Sequence, residues 1–192
     1  MDSHFILDDL KTTDLKEFAN LENFEFSHYG QKDKRIYQCR VTTIDYPSLI
    51  PVYQKFQDPK KLFSHAEIMY IEPGASVMPH IDVKRAACVN IPVAGDFEKS
   101  AVGFFNKGKK FVPNMHTDAE GKVTVMKGGG YPDAILEEEI SYTKPIVLNN
   151  QKIHNVSNYS DVNRIIISLS FNYNFTFDDI NHLHQTKKLL KE

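Results

Sequence analysis

Apolar positions in the first third of the chain recur at three-residue steps: Leu15, Phe18, Leu21 and Phe24 follow Thr12, Thr13 and Asp14, whose side chains suit the cap of a helix. A second short helix is predicted over 47–56, with Pro47 near its first turn. From Ala66 onward the pattern changes. Ile68, Met69, Tyr70 and Ile71 run into the breaker Pro73-Gly74. Short β-type runs follow at 77–83, 87–93, 102–105, 123–126, 140–142, 146–148 and 164–171, separated by Gly, Pro, Asn and Asp. Many short strands with no helices between them predict an antiparallel sandwich, jelly roll or barrel, and not a βαβ sheet. Residues 107–142 are the least regular and read as a long hairpin or mobile excursion, a candidate substrate lid. Asp178 and Asp179 stand at the start of a closing helix in which Ile180, Leu183, Leu189 and Leu190 form a rough apolar stripe.

A length of 192 residues predicts one domain, with helical support over about 1–62, a β core over about 63–174 and the closing helix over about 177–191. With 41% apolar and 25% charged residues, the chain is not a disordered segment, a disulfide miniprotein or a collagen-like repeat. The 23 basic residues are scattered among 25 acidic ones, so no nucleic-acid partner is expected. Cys39 and Cys88 are too few for a disulfide framework and fit a reducing compartment. Asp2, Asp8 and Asp9 occupy the stretch where a signal peptide would be basic, and apolar runs such as 165–167 are strand-sized. A cytoplasmic protein with no membrane partner is the expectation.

The chemistry begins with His-x-acid pairs. The composition predicts about one by chance, and three are present: His65/Glu67, His80/Asp82 and His116/Asp118. Residues two apart on a strand share a face, so His80 and Asp82 can converge on one metal ion. A third candidate ligand, His154, lies downstream, and ten residues later Arg164 opens the strong apolar run at 164–171. Arginine is scarce here (Arg35, Arg40, Arg85, Arg164), and burying a guanidinium is costly unless an anion such as a carboxylate meets it. Ser168 shares the face of Arg164 and adds a hydroxyl.

In this order and spacing, His80-x-Asp82, His154 and Arg164-x-x-x-Ser168 resemble the 2-oxoglutarate/Fe(II)-dependent oxygenases, over roughly residues 66–171. Tyr70-Ile71-Glu72-Pro73-Gly74, Pro79-His80-Ile81-Asp82 and Asn90-Ile91-Pro92 look like the prolyl-hydroxylase and aspartyl/asparaginyl-hydroxylase-like branches. Aspartyl β-hydroxylases proper lack the carboxylate ligand, so Asp82 departs from them. The resemblance implies a mainly β fold, a double-stranded β-helix of jelly-roll or cupin type flanked by N-terminal helices and a short C-terminal helix. It implies an Fe(II) triad of His80, Asp82 and His154, with Arg164 on the distal carboxylate of the co-substrate 2-oxoglutarate, Ser168 beside it, and Tyr70 and Asn90 as further contacts. It also implies O2 consumption, a peptidyl or small-molecule substrate, hydroxylation of a C–H bond, and succinate and CO2 as co-products. Arg85 is placed at the pocket mouth, facing an acidic or peptidyl substrate.

Plainer alternatives stand beside these. His80 and Asp82 can be a surface ion pair, Arg164 can snorkel or pair with Glu67 or Asp161, and Arg85 can be a solvated turn residue. Tyr70, Asn90 and Ser168 can be ordinary sheet residues. His116 and Asp118 read as loop residues, Lys107, Lys109 and Lys110 as a solvated run, Cys88 as a small core residue, and Gly128 to Gly130 as a hinge. His182 and His184, two apart on a helix, do not face each other. At the level of function the rivals are a cupin-type metal protein without 2-oxoglutarate dependence and a noncatalytic β-sandwich interaction domain. The terminal helices offer a surface for a homodimer.

Overall fold

The computed structural model describes residues 2–10, 12, 15–28, 35–82, 85–117 and 123–191. In chain order the elements are β1 (His4–Ile6), β2 (Ser27–His28), β3 (Ile36–Val41), α1 (Leu49–Gln54), α2 (Pro59–Leu62), β4 (Phe63–Ile71) and β5 (Ala87–Ala94). They continue with β6 (Ser100–Asn106), β7 (Val112–Thr117), β8 (Val123–Gly130), β9 (Ile135–Ile140), β10 (Ile146–Asn149), β11 (Ile153–Asn158), β12 (Arg164–Phe171) and α3 (Phe177–Gln185).

The strands form a seven-stranded sheet, β1-β10-β5-β12-β4-β3-β2, and a smaller one, β11-β6-β9. Every pairing is antiparallel. The stretch before β5 adds to the free side of β11 through single bridges at Ser76–Ser157 and His80–His154. Strands β4, β12, β5 and β10 thus face residues 76–80, β11, β6 and β9, with each long connection crossing from one sheet to the other. This is the double-stranded β-helix, or jelly roll.

Strand β12 lies at the centre of the large sheet and is buried along its whole length. Successive side chains alternate between faces. Ile165, Ile167, Leu169 and Phe171 point outward into a core with Phe18, Leu49, Phe56 and Ile180, while Arg164, Ile166, Ser168 and Ser170 point into the barrel. The inner apolar lining is smaller and comes from Cys88, Val102, Phe104, Tyr142, Ile146 and Leu148. The outward core supplies most of the apolar burial, which leaves the interior free to hold polar groups.

Several expectations are corrected. Residues 15–24 form no α-helix but two 3-10 turns, Lys16–Ala19 and Leu21–Asn23. A strict three-residue spacing matches the 3.0-residue turn of that helix, not the 3.6 of the α form; Phe18 and Phe24 stack with ring centroids 6.0 Å apart. Thr13 and Asp14 lie outside the described residues. The N-terminal third is also less helical than expected, because β1, β2 and β3 extend the large sheet. Helix α1 falls within the predicted segment 47–56. Residues 77–82 form isolated bridges and no continuous strand, and Val83 is outside the described residues. The closing helix is capped by Thr176, two residues before the expected Asp178, and ends at Gln185; Leu189 and Leu190 lie beyond it, Leu190 bridging to Phe56.

Residues 107–142 divide into the β7–β8 hairpin and β9, which completes the small sheet. Gly129 and Gly130 are not a hinge. A Cβ would stand 2.3 Å from the Val112 carbonyl at Gly129 and 2.9 Å from the Pro79 carbonyl at Gly130, so close backbone approach selects glycine here. Gly130 bridges to His80, which brings the base of the hairpin against the candidate site. No helix among the described residues is long and apolar enough to cross a membrane.

Candidate metal centre

His80 and His154 face each other across an antiparallel bridge, each backbone N–H donating to the other's carbonyl at 2.8 and 2.9 Å, and this sets the rings 4.6 Å apart. The His80 Nδ1 lies 2.9 Å from the Met78 carbonyl and the His154 Nδ1 lies 2.9 Å from the Lys152 carbonyl. A carbonyl only accepts, so each Nδ1 carries the proton and each Nε2 is left with a lone pair. Asp82 is anchored by its own N–H on the Asn150 carbonyl at 3.2 Å, and its Oδ1 stands 3.4 Å from His80 Nε2. One ligand atom from each of His80, Asp82 and His154 lies within 4.8 Å of the other two. Two imidazoles and one carboxylate gathered on one side of a site are the donor set of non-haem iron.

The electrostatics suit a cation. Burial alone would raise the Asp82 carboxyl, but the Arg85 guanidinium, His80 and His154 together outweigh it and hold the group well below the usual carboxylate range. Burial, with the neighbouring His80, pulls His154 down to about 4. At neutral pH Asp82 is therefore an anion and His154 a neutral base, the forms that bind a metal.

On the large sheet, at the start of β12, Arg164 is fully buried. Its Nη2 donates to the Tyr142 hydroxyl at 2.6 Å, and its guanidinium carbon lies 5.5 Å from the centre of the Phe97 ring and 5.2 Å from that of Tyr142. Nε and Nη1 have no hydrogen-bond partner. Native proteins rarely leave buried donors of a charged group unpaired, so these two mark a place for an anion. Asn90 also donates to the Tyr142 hydroxyl, at 3.4 Å. Burial pushes the Tyr142 phenol up against the lowering effect of Arg164, and a hydroxyl that accepts from two sides keeps its own proton to give.

The structure brings His80, Asp82, His154, Arg164, Asn90 and Ser168 onto the interior, with Asn90 and Ser168 as register partners. Ser168 accepts from Arg85 and not from Arg164, whose Cα lies four residues away along the strand. Tyr70 is not brought to this group. Its register partner is the outward Ile165, and its ring stacks on Tyr37 at 5.1 Å, because β4 turns alternate residues to opposite faces. Arg85 is not a solvated turn residue; its side chain turns in to Asp82, Ser168 and Ser170. His65 pairs with Glu67 at 3.5 Å and belongs to no three-ligand group among the described residues. Asp118 lies outside the described residues. Lys107, Lys109 and Lys110 are exposed, as expected of a solvated loop, and Cys88 is buried.

Sequence reasoning missed Tyr142, Phe97 and Asn150. Asn150 sits four residues before His154, and a polar pair at Asn149-Asn150 ending an apolar run was the available signal. Tyr142 and Phe97 carry no local signal, since each meets Arg164 only in the folded chain.

No protein-family model matches the sequence, and no curated protein is similar to it. Solved structures share the fold at low identity. The epimerase SnoN, in complex with Fe3+, alpha ketoglutarate and nogalamycin RO, superposes with a TM-score of 0.55 and 11% identity over 89% of this chain and 79% of its own. Oxalate decarboxylase from Lactobacillus farciminis gives 0.40 and 14% over 81% of this chain, and E. coli ycfD gives 0.47 and 14% over 97%. This chain spans 33% of that decarboxylase and 55% of ycfD. The likeness to SnoN supports the jelly-roll fold.

Proposed function

We propose that the protein is a 2-oxoglutarate- and Fe(II)-dependent dioxygenase that hydroxylates a C–H bond of a peptidyl or amino-acid-like substrate. The observation that carries this reading is Arg164: a fully buried guanidinium with two unpaired donors, turned into the same barrel interior as three convergent metal-ligand atoms. A plain metal site needs no such group. A metal chelated by a dicarboxylic 2-oxoacid does, because the carboxylate remote from the ion must end on a cation in a site that excludes water.

His80 and His154 offer Nε2 and Asp82 offers Oδ1, and these fit an Fe(II) ion with positions left open for other ligands. Bound there, iron supplies the oxidative decarboxylation of 2-oxoglutarate to succinate and CO2 that is coupled to hydroxylation. The chain itself binds and orients. Arg164 holds the distal carboxylate, Tyr142 adds its hydroxyl proton to the same anion, and Asn90 keeps that hydroxyl in place. Phe97, Met69 and Ile166 form an apolar cluster beside the guanidinium that keeps water from competing for it.

The test is anaerobic thermal unfolding with Mn(II) in place of Fe(II), with and without 2-oxoglutarate, on the wild type and Arg164→Ala. Mn(II) is expected to raise Tm, 2-oxoglutarate to raise it further, and Arg164→Ala to abolish the second shift while keeping the first. A response to Mn(II) alone transfers the site to a cupin-type metal protein. No response to either makes the domain noncatalytic.

A further inference from the structure

Arg85 lies three residues after Asp82, and its side chain is 14% exposed. Its Nε donates to Asp82 Oδ2 at 2.5 Å, and its Nη1 donates to Ser168 Oγ at 3.2 Å and Ser170 Oγ at 3.4 Å, with Glu67 Oε2 at 3.8 Å. Asn150 Nδ2 donates to the same Asp82 Oδ2 at 2.8 Å. Gln151 Nε2 holds the backbone on both sides, donating to the Asp82 carbonyl at 3.2 Å and the Arg85 carbonyl at 3.3 Å. One carboxylate oxygen of Asp82 is thus occupied by two donors, while the other faces His80. Among the described residues, 77–82 form no continuous strand; Asp82 is held by its N–H on the Asn150 carbonyl and by these side chains.

We infer that Arg85 is a positioning residue of the metal centre. Its planar guanidinium holds Oδ2 through Nε so that Oδ1 is presented to the ion, and through Nη1 it ties that carboxylate to β12, with Glu67 of β4 close by. This rests on the metal reading of His80, Asp82 and His154. It gives Arg85 a role other than substrate contact, and it is separable from a plain charge effect by sign. A cation beside a cation site opposes metal binding, so if charge were all that mattered, removing Arg85 would tighten binding. If geometry dominates, removal weakens it.

The experiment titrates Co(II) into the full chain, without 2-oxoglutarate and in the absence of oxygen, following the visible d–d absorption of the bound ion. Arg85→Gln is expected to weaken Co(II) binding by about 10- to 100-fold, as loss of an outer hydrogen-bond partner does, and to change the shape of the absorption envelope as Asp82 shifts. Arg85→Lys keeps the charge but lacks the fork, and is expected not to restore either. Ser168→Ala removes one anchor of Nη1 without touching the Asp82 pair; it is expected to weaken binding several-fold, and it carries the test if Arg85→Gln does not fold. Equal or tighter binding by Arg85→Gln, full restoration by Arg85→Lys, or an unchanged Ser168→Ala overturns the inference. A wild type that binds no Co(II) overturns the metal reading and this inference with it, whereas a wild type that binds and an Arg85→Gln that binds equally overturn this inference alone.

Discussion

Arg164 and Tyr142 show how a buried charge is carried by single residues. The guanidinium has one hydrogen bond, two aromatic faces and two unpaired donors, an arrangement that costs stability unless an anion completes it. Tyr142→Phe removes the one oxygen it donates to. Leaving a third donor unpaired is expected to lower the stability of the ligand-free protein by about 1–3 kcal/mol. The same substitution should weaken 2-oxoglutarate binding while leaving Mn(II) binding intact, read as a smaller 2-oxoglutarate increment in Tm over Mn(II) alone. Equal increments in variant and wild type would remove Tyr142 from the co-substrate site. Arg164 was legible in the sequence because an arginine opening an apolar strand is rare enough to stand out. Tyr142 was not, because it lies 22 residues away along the chain and meets Arg164 only across the barrel.

Among the elements, α3 illustrates a local rule obeyed one step away from where the pattern pointed. Thr176 accepts from the Asp179 N–H at 3.1 Å, and the Asp179 carboxylate accepts from the Thr176 N–H at 2.8 Å and hydroxyl at 2.7 Å, a reciprocal capping box. The Thr176 hydroxyl, then its backbone N–H, holds the Asp179 carboxyl below its usual value. A depressed carboxylate stabilises the fold above the unfolded pKa and loses that contribution as pH falls through the folded one. Thr176→Ala is expected to cost about 1 kcal/mol at neutral pH, measured by urea unfolding. The gap to the wild type should narrow as pH falls from about 7 to about 3, where protonation of Asp179 takes part of the box from the wild type as well. A gap independent of pH would mean that Asp179 contributes nothing to the cap. The ligand-bearing segment 76–82 departs further from its pattern. Alternation suggested a strand with His80 and Asp82 on one face, yet single bridges and the side chains of Arg85 and Asn150 produce the convergence.

For the whole molecule, the large sheet works as a partition, with an apolar core on its outer face and a mixed polar interior on the other. Leu169→Ala, on the outer face, is expected to cost about 2–5 kcal/mol and to leave Mn(II) and 2-oxoglutarate binding unchanged in the fraction that remains folded. Ile166→Ala, on the opposite face of the same strand and packed on Phe97 and Met69 beside Arg164, is expected to cost a similar amount and also to reduce the Tm increment from 2-oxoglutarate. Identical ligand responses in the two variants would contradict the partition. The sequence by itself pointed to the mainly β class, to strands β4, β5, β6, β8, β10 and β12 but not to β7 or β11, to the three residues His80, Asp82 and His154 that converge, and to Arg164. Those features are written in hydrophobic alternation and in rare polar residues placed within it, which act over a few positions. Only the tertiary structure decided that Tyr70 faces away, that Arg85 turns inward to Asp82, that β1 to β3 extend the sheet, and that the Tyr142 hydroxyl meets Arg164. Each of these depends on which strands become neighbours and in what register, and a shift of one residue in register exchanges the two faces of a strand.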